Sequence, residues 1–423
     1  MASGAKLAPG TPSGYTDARR WSIVVLLAVA SIIAYMDRVN LSVALIDGDF
    51  KQFFQISNTG RGLVNSAFFW SYAALQIPAG WIADRYGSKY SIAIGFAVWS
   101  VLTALTSLAV GLSSLFAIRL MVGIGEAIIH PASMRWIRFN FSEKQRGLAI
   151  GLFMSGSKFG PAVGAVVAAW LIQGFGWRPM FLILGLGALI WLAPWLFLVK
   201  DDSATGAVRQ PAKGTAGKSL TMAQLAASPI IWGTVIGTFC YMYFVYFCLT
   251  WMPAYFSEAR HLSLSSSSLF TTFSFAGMAI VAVLGGWAAD SLIARGMEPI
   301  LVRKAFTIAG FLMASTELLG GASSSLNVAL FFSVFSLSGL GLATANYWAL
   351  TQTLLPSGAI GRIVGIQNCA ASVAGIVAPI LTGWLVDKTG SYSAPMQAVL
   401  IALIAGIAAY LFLVREKYAP AKV

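Results

Sequence analysis

AGWIADRYG (residues 79–87) and GGWAADSLIARG (residues 285–296) are two forms of one phrase, with small residues, a tryptophan, Ala-Asp, a basic residue and a glycine. Each closes an apolar run, and each run is the second of its half of the chain. A further pair supports the repeat. LAIGLFMSGSKFGPAVG (148–164) lies over RIVGIQNCAASVAGIVAP (362–379) when Gly151 is set on Gly365, and the same offset sets Gly176 on Gly390. A chain made of two such halves is an architecture of membrane transporters, which hold substrate near the bilayer midplane between the repeats.

The composition agrees. Of 423 residues, 58% are hydrophobic and 10% charged, and the mean hydropathy is +0.77. Soluble domains carry about 25% charged residues. Runs long enough to cross a bilayer are expected at 21–46, 59–83, 89–110, 114–137, 147–172, 178–199, 229–256, 267–293, 303–322, 326–353, 363–386 and 394–414. The predicted class is therefore an all-α membrane protein of twelve transmembrane helices in two pseudo-symmetric six-helix halves. Its parts are a leader (1–20), a first half (21–199), a Gly-, Ala-, Ser- and Lys-rich linker (200–228), a second half (229–414) and a tail (415–423). The first apolar run is too long for the core of a cleaved signal peptide.

Charge placement predicts the orientation. With the N-terminus in the cytoplasm, 20 Lys and Arg fall on that side and five, Lys51, Arg61, Arg178, Arg260 and Lys388, on the other. This is the positive-inside pattern. It places both termini in the cytoplasm of a cell inner membrane and accounts for much of the net charge of +13 without nucleic acid. Cys240, Cys248 and Cys369 all lie in apolar runs and suit neither a disulfide framework nor a metal site.

Three basic residues lie inside spans: Arg38, Arg119 and Lys158. Ionised groups at that depth are costly and face a cavity or a partner. Arg38 adjoins Asp37, and neighbours on a helix point about 100° apart, so the two are expected to do different work. Arg119, Gly123, Glu126, His130 and Ser133 form one narrow polar stripe by helical spacing. Arg119 and Glu126 are about 10 Å apart along the axis, so partners from the first helix are expected, with Gly123 giving them room. Glu126 and His130, one turn apart, could share a proton, and Pro131 should kink the helix. Lys158 lies about 17 Å from the nearer helix end, too deep to snorkel fully. With all five groups ionised the buried sum is +1, which favours an anion. Arg38 suits a carboxylate, because a guanidinium fork matches its two oxygens. Asp37 and Glu126 suit a coupled proton, with Arg119 and His130 beside them. Glu317 is expected at an interface near the end of the ninth span.

Certain stretches resemble a known family. GWIADRYGSK (80–89) is similar to the signature loop of the major facilitator superfamily, with Gly80, Asp84, Arg85, Gly87 and Lys89 in position. YMDRVNLSVA (35–44), RLMVGIGEAIIHPA (119–132), YFCLTWMPAYF (246–256) and GIQNCAASVAGIVAPILTGWLVDKTGSY (365–392) resemble its anion:cation symporters, including galactonate, glucarate and hexuronate transporters and the sialic-acid carrier. The resemblance implies alternating access without cofactor or metal, driven by a proton gradient, by a protein that is not an enzyme and acts as a monomer in the lipid bilayer. It implies a small organic anion as substrate, most specifically a sugar acid such as a hexuronate or aldonate. It implies a conformational latch at Gly80, Asp84, Arg85, Gly87 and Lys89, with Asp290 as the counterpart of Asp84. Gly80 would allow close helix contact and Gly87 a tight turn. Substrate contacts are expected from Arg38, Tyr35, Tyr72, Gln76, Ser157, Lys158, Tyr243, Tyr246, Gln367 and Asn368. Ser157 stands where galactonate-type relatives use a glutamine, so substrate identity does not carry over.

Two other readings stay open. GSKFGPAVG (156–164) is close to the signature of proton-driven antiporters that export small organic compounds, although glycine spacing on a helix is mainly a packing device. Coupling to Na⁺ is the other. A membrane enzyme or sensor lacks support, since no catalytic triad, zinc spacing or phosphate loop occurs.

Overall fold

The computed structural model describes residues 15–200, 227–354, 360–415 and 418. Most of the expected leader, linker and tail lie outside the described residues. Among the described residues eleven helices are long and apolar enough to cross a membrane: α1 (Asp17–Ala44), α3 (Ser88–Leu108), α4 (Leu112–Asn140), α5 (Gln145–Phe175), α6 (Trp177–Leu198), α7 (Pro229–Ala259), α8 (Leu264–Ala294), α9 (Pro299–Ala322), α10 (Leu326–Thr351), α11 (Ile363–Thr389) and α12 (Ser393–Leu413). The remaining predicted span is α2, Asn58–Tyr86, a helix of 29 residues. It is long enough to cross, but Arg61, Asn65, Ser66 and Gln76 dilute its apolar content. Among the described residues there is no strand.

The repeat is visible in the backbone. Gly87 and Gly296, just past α2 and α8, have φ of 79° and 96°. Gly176 and Gly390, past α5 and α11, have φ of 88° and 65°. Only glycine enters this left-handed region without a Cβ penalty, so both halves end matching helices by the same means.

Small residues let the helices approach closely. A Cβ on Gly156 would lie 2.5 Å from the Ser31 Cβ, and one on Gly160 would lie 2.5 Å from the Tyr35 Cβ. The glycines of GSKFGPAVG therefore seat α5 on α1, and their spacing is explained by packing. Gly123 of α4 meets the Phe68 carbonyl of α2 at 2.3 Å from its virtual Cβ. It was expected to admit α1, and it admits α2 instead.

The two halves meet most closely at one end of the bundle, the end opposite to the one where Arg19 of α1 bonds the Leu198 carbonyl at 2.8 Å. At the touching end, virtual Cβ atoms on Gly62 and Gly383 lie 2.3 Å from the Pro379 carbonyl oxygen and 2.2 Å from the Asn58 carbonyl oxygen. Asp387 of α11 accepts hydrogen bonds from the N–H groups of Asn58 and Thr59 at 3.1 and 2.7 Å, and from their side chains at 3.0 and 2.6 Å. It caps the N-terminus of α2 from the other half, where an anion is favoured. Glu258 of α7 binds Lys51 at 2.6 Å, Arg61 at 2.7 Å and the Tyr392 hydroxyl at 2.8 Å. At the other end Gly80 and Gly365 have nothing within 4 Å of a virtual Cβ. The expected helix contact at Gly80 is therefore not made in this conformation.

Glu317 lies near the end of α9 and is packed against α10. It is 2% exposed, and its carboxylate accepts hydrogen bonds from Ser333 at 3.0 Å and from Ser336. Cys240 and Cys248 are buried, whereas Cys369 is exposed.

Candidate functional site

Asp37 and Arg38 leave α1 in different directions. Asp37 is 3% exposed, and its carboxylate accepts from Asn40 at 3.1 Å and from Thr103 of α3 at 3.2 Å. Arg38 is 5% exposed and turns to α4, where its Nε donates to Glu126 Oε1 at 2.9 Å and its Nη2 contacts the same oxygen. The guanidinium lies over the rings of Tyr35, Phe68 and Tyr72 at 4.2, 4.6 and 5.0 Å. Such stacking suits a delocalised cation removed from water. Arg119 is 2% exposed and donates to the Asp37 backbone carbonyl at 3.3 Å. Both stripe charges thus find partners on α1, as their separation predicts.

Glu126 Oε2 is buried and has no hydrogen-bond partner among the described residues. The expected link to His130 is absent. The backbone stays right-handed helical through Ala127 and Ile128, with a hydrogen bond missing ahead of Pro131, but the Glu126 carboxylate turns to Arg38 and away from His130. The His130 ring instead sits 5.5 Å from that of Phe153. The missing bond is the one a proline removes from its helix.

Lys158 crosses to the second half. Its Nζ lies 3.4 Å from the Tyr241 hydroxyl and 5.7 Å from the centre of that ring. Tyr241 in turn shares a hydrogen bond of 2.8 Å with Thr344 of α10. Tyr246 of α7 packs on Phe69 at 4.4 Å and, with Tyr35 and Tyr72, is an electrostatic neighbour of Arg38.

The other expected contacts divide. Gln76 is half-buried with its Nε2 unbonded among the described residues, and Asn368 is exposed on α11. Ser157 is half-buried, and its hydroxyl donates to its own helix at Met154, 2.8 Å away. Tyr243 is buried beside Phe239, 6.0 Å between ring centres, and its hydroxyl is unbonded among the described residues. Gln367 departs from expectation: it is fully buried and donates to Thr238 and Thr351, both at 3.1 Å. Its amide ties α7, α10 and α11 together inside the second half.

In the expected latch, Asp84 pairs with Arg135 of α4 at 3.4 Å, and Arg135 donates to Ser88 at 3.2 Å. Arg85 lies over Trp81 and Tyr86 at 5.6 and 5.7 Å, and Lys89 lies over Tyr90 at 5.6 Å. Asp290 pairs with Arg303 of α9 at 2.9 Å.

Sequence reading missed Thr103, Tyr241 and Thr344. Tyr241 stands in YMYFVYF (241–247) beside two other tyrosines, and helical spacing alone does not tell which faces the first half.

A family model described as Major Facilitator Superfamily matches residues 27–379. The probable galactarate/D-glucarate transporter GudP of Bacillus subtilis is 31% identical, over 96% of this chain and 94% of its own length. The D-galactonate transporter of Escherichia coli is 29% identical, over 94% and 96%. The hexuronate transporter of Bacillus subtilis is 29% identical, over 88% and 89%. Among solved structures, a bacterial homolog of the human lysosomal transporter Spinster aligns over 97% of this chain and 100% of its own, with a TM-score of 0.78 at 18% identity. Its likeness concerns the fold. The chain belongs to the major facilitator superfamily, a family of membrane transporters and not of enzymes.

Proposed function

We propose that this protein is a proton-coupled symporter that takes up a sugar acid across a cell inner membrane by alternating access. The observation that carries the reading is the buried contact between Arg38 and Glu126. An ionised Glu126 occupies the guanidinium that a substrate carboxylate would need. A proton on Glu126 weakens that contact and releases Arg38 to an incoming anion. Proton and anion then enter the site together, because each makes the other's binding more favourable. Asp37, held on the far side of α1 by Thr103 and Asn40, is a second proton carrier that does not compete for Arg38.

With both termini in the cytoplasm, as the charge bias indicates, the separated end of the bundle faces inward and the Asp387 and Glu258 contacts close the outside. The chain then acts as a monomer, with the two halves rocking about a site between them. The glycines of GSKFGPAVG serve the α1–α5 packing, which gives their spacing a reason that does not depend on export.

The test is uptake of labelled D-glucarate, D-galactonate and a hexuronate into proteoliposomes. An inside-alkaline pH gradient should drive accumulation, and a Na⁺ gradient at uniform pH should not. Accumulation driven by Na⁺ alone would establish the sodium reading. Proton-driven efflux with no uptake would establish an antiporter.

A further inference from the structure

Lys158, half-buried on α5, differs from the buried Arg38 and Arg119 in what it touches. Arg38 is occupied by Glu126, and Arg119 by the Asp37 carbonyl. Among the described residues no carboxylate lies within ion-pair distance of Lys158. The acids buried in the spans are engaged elsewhere: Asp37 with Asn40 and Thr103, Glu126 with Arg38, and Glu317 with Ser333 and Ser336. An ammonium has three donors, and the structure uses one, on the Tyr241 hydroxyl.

The position of this cation is also informative. Tyr35 lies under the Arg38 guanidinium and is an electrostatic neighbour of Tyr241. Tyr35 thus neighbours both Arg38 and the Tyr241 hydroxyl that Lys158 contacts. Charge arithmetic points the same way. With Glu126 protonated, Arg38, Arg119 and Lys158 stand against Asp37 alone. These groups then carry two excess positive charges, which a dianion would cancel and a monoanion would only halve.

We propose that Lys158 and Tyr241 form a second anion position, which takes the distal carboxylate of a polyhydroxy dicarboxylate whose first carboxylate sits at Arg38. The proposal rests on the sugar-acid reading above. Lys158 is the specificity-determining residue. The Tyr241 hydroxyl, held by Thr344, aligns as a neutral donor beside the ammonium. Because Lys158 belongs to the first half and Tyr241 to the second, a carboxylate here joins both halves.

The test is calorimetric titration of the purified full chain with D-glucarate, a dianion, and D-galactonate, a monoanion. Wild type, Lys158→Met, Lys158→Arg and Tyr241→Phe are compared at fixed ionic strength, each checked by gel filtration and thermal melting. A desolvated charged hydrogen bond is worth roughly ten- to a hundredfold in affinity. Lys158→Met should lose about that factor for D-glucarate and less than about threefold for D-galactonate. Lys158→Arg should retain the preference for the dianion, and Tyr241→Phe should reduce it while keeping the charge. Equal losses for both anions, or no loss in Lys158→Met, would overturn the proposal. If Lys158→Met does not fold, Tyr241→Phe decides: an unchanged ratio between the two anions overturns the proposal. Wild type that binds neither anion would overturn the sugar-acid reading itself.

Discussion

Both contacts from Arg38 to Glu126 converge on one carboxylate oxygen, Oε1, and leave Oε2 buried without a partner among the described residues. This is not the two-oxygen fork in which a guanidinium and a carboxylate bind best. The geometry leaves one oxygen with capacity for a proton. Such an arrangement suits a contact that must open in each cycle.

Glu126→Gln should uncouple transport. The amide keeps the shape and removes the charge, so Arg38 is permanently released. Gradient-driven accumulation in proteoliposomes should fall to the equilibrium level, while exchange of labelled for unlabelled substrate continues. Accumulation at the wild-type level in this variant would contradict the coupling role.

Arg38→Lys and Asp37→Asn should separate binding from coupling. Lysine keeps the charge but loses the planar fork and the stacking on Tyr35, Phe68 and Tyr72. Titration should show affinity at least roughly tenfold weaker, since charge-assisted hydrogen bonds are worth about 1.5–3 kcal/mol. Asp37→Asn should keep the wild-type affinity within about threefold, because Asp37 faces Thr103 and not the guanidinium, and should instead impair accumulation.

Asp387→Asn should shift the conformational balance. It weakens the cap on α2 at the end where the halves meet most closely. Exposed charge interactions are worth up to about 1 kcal/mol, so a roughly two- to fivefold shift away from the described conformation is expected. Spin labels on α2 and α11 at the two ends should report it by distance measurement. An unchanged distance distribution would show that the close packing at Gly62 and Gly383 suffices.

Gly160→Val should destabilise the first half. Its side chain would enter the space of the Tyr35 Cβ and the Ile32 carbonyl, at 2.5 and 2.7 Å from the new Cβ. Overpacking of this kind costs about 1–3 kcal/mol. Melting in detergent should report the loss, and a variant as stable as wild type would mean that α1 and α5 can separate freely.

Gln367→Leu should leave substrate affinity unchanged within about twofold and lower stability by about 1 kcal/mol, the net worth of a hydrogen bond between neutral groups. Thr238 and Thr351 keep bonds to their own helices at 2.8 and 3.0 Å, so little is left unsatisfied. A large loss of affinity would restore Gln367 to the site.

The halves, the helices and the buried charges were legible because each is local. A span is a run of apolar residues, a repeat is a recurring phrase, and an arginine inside a span is conspicuous for its solvation cost alone. Helical spacing also foretold that Arg119 and Glu126 would look to α1, since residues two turns apart are too distant to bond each other. Pairings between helices are another matter. Only the tertiary structure assigned Arg38 to Glu126, set His130 against Phe153, and committed Gln367 to threonines of neighbouring helices. It alone chose Tyr241 to meet Lys158 and set the two halves together at Asp387 and Glu258. In a membrane helix almost every face is apolar, so periodicity no longer marks which face meets protein and which meets lipid. That choice falls to small residues and a few polar groups whose partners lie far away in the chain, and their meeting depends on how the helices pack.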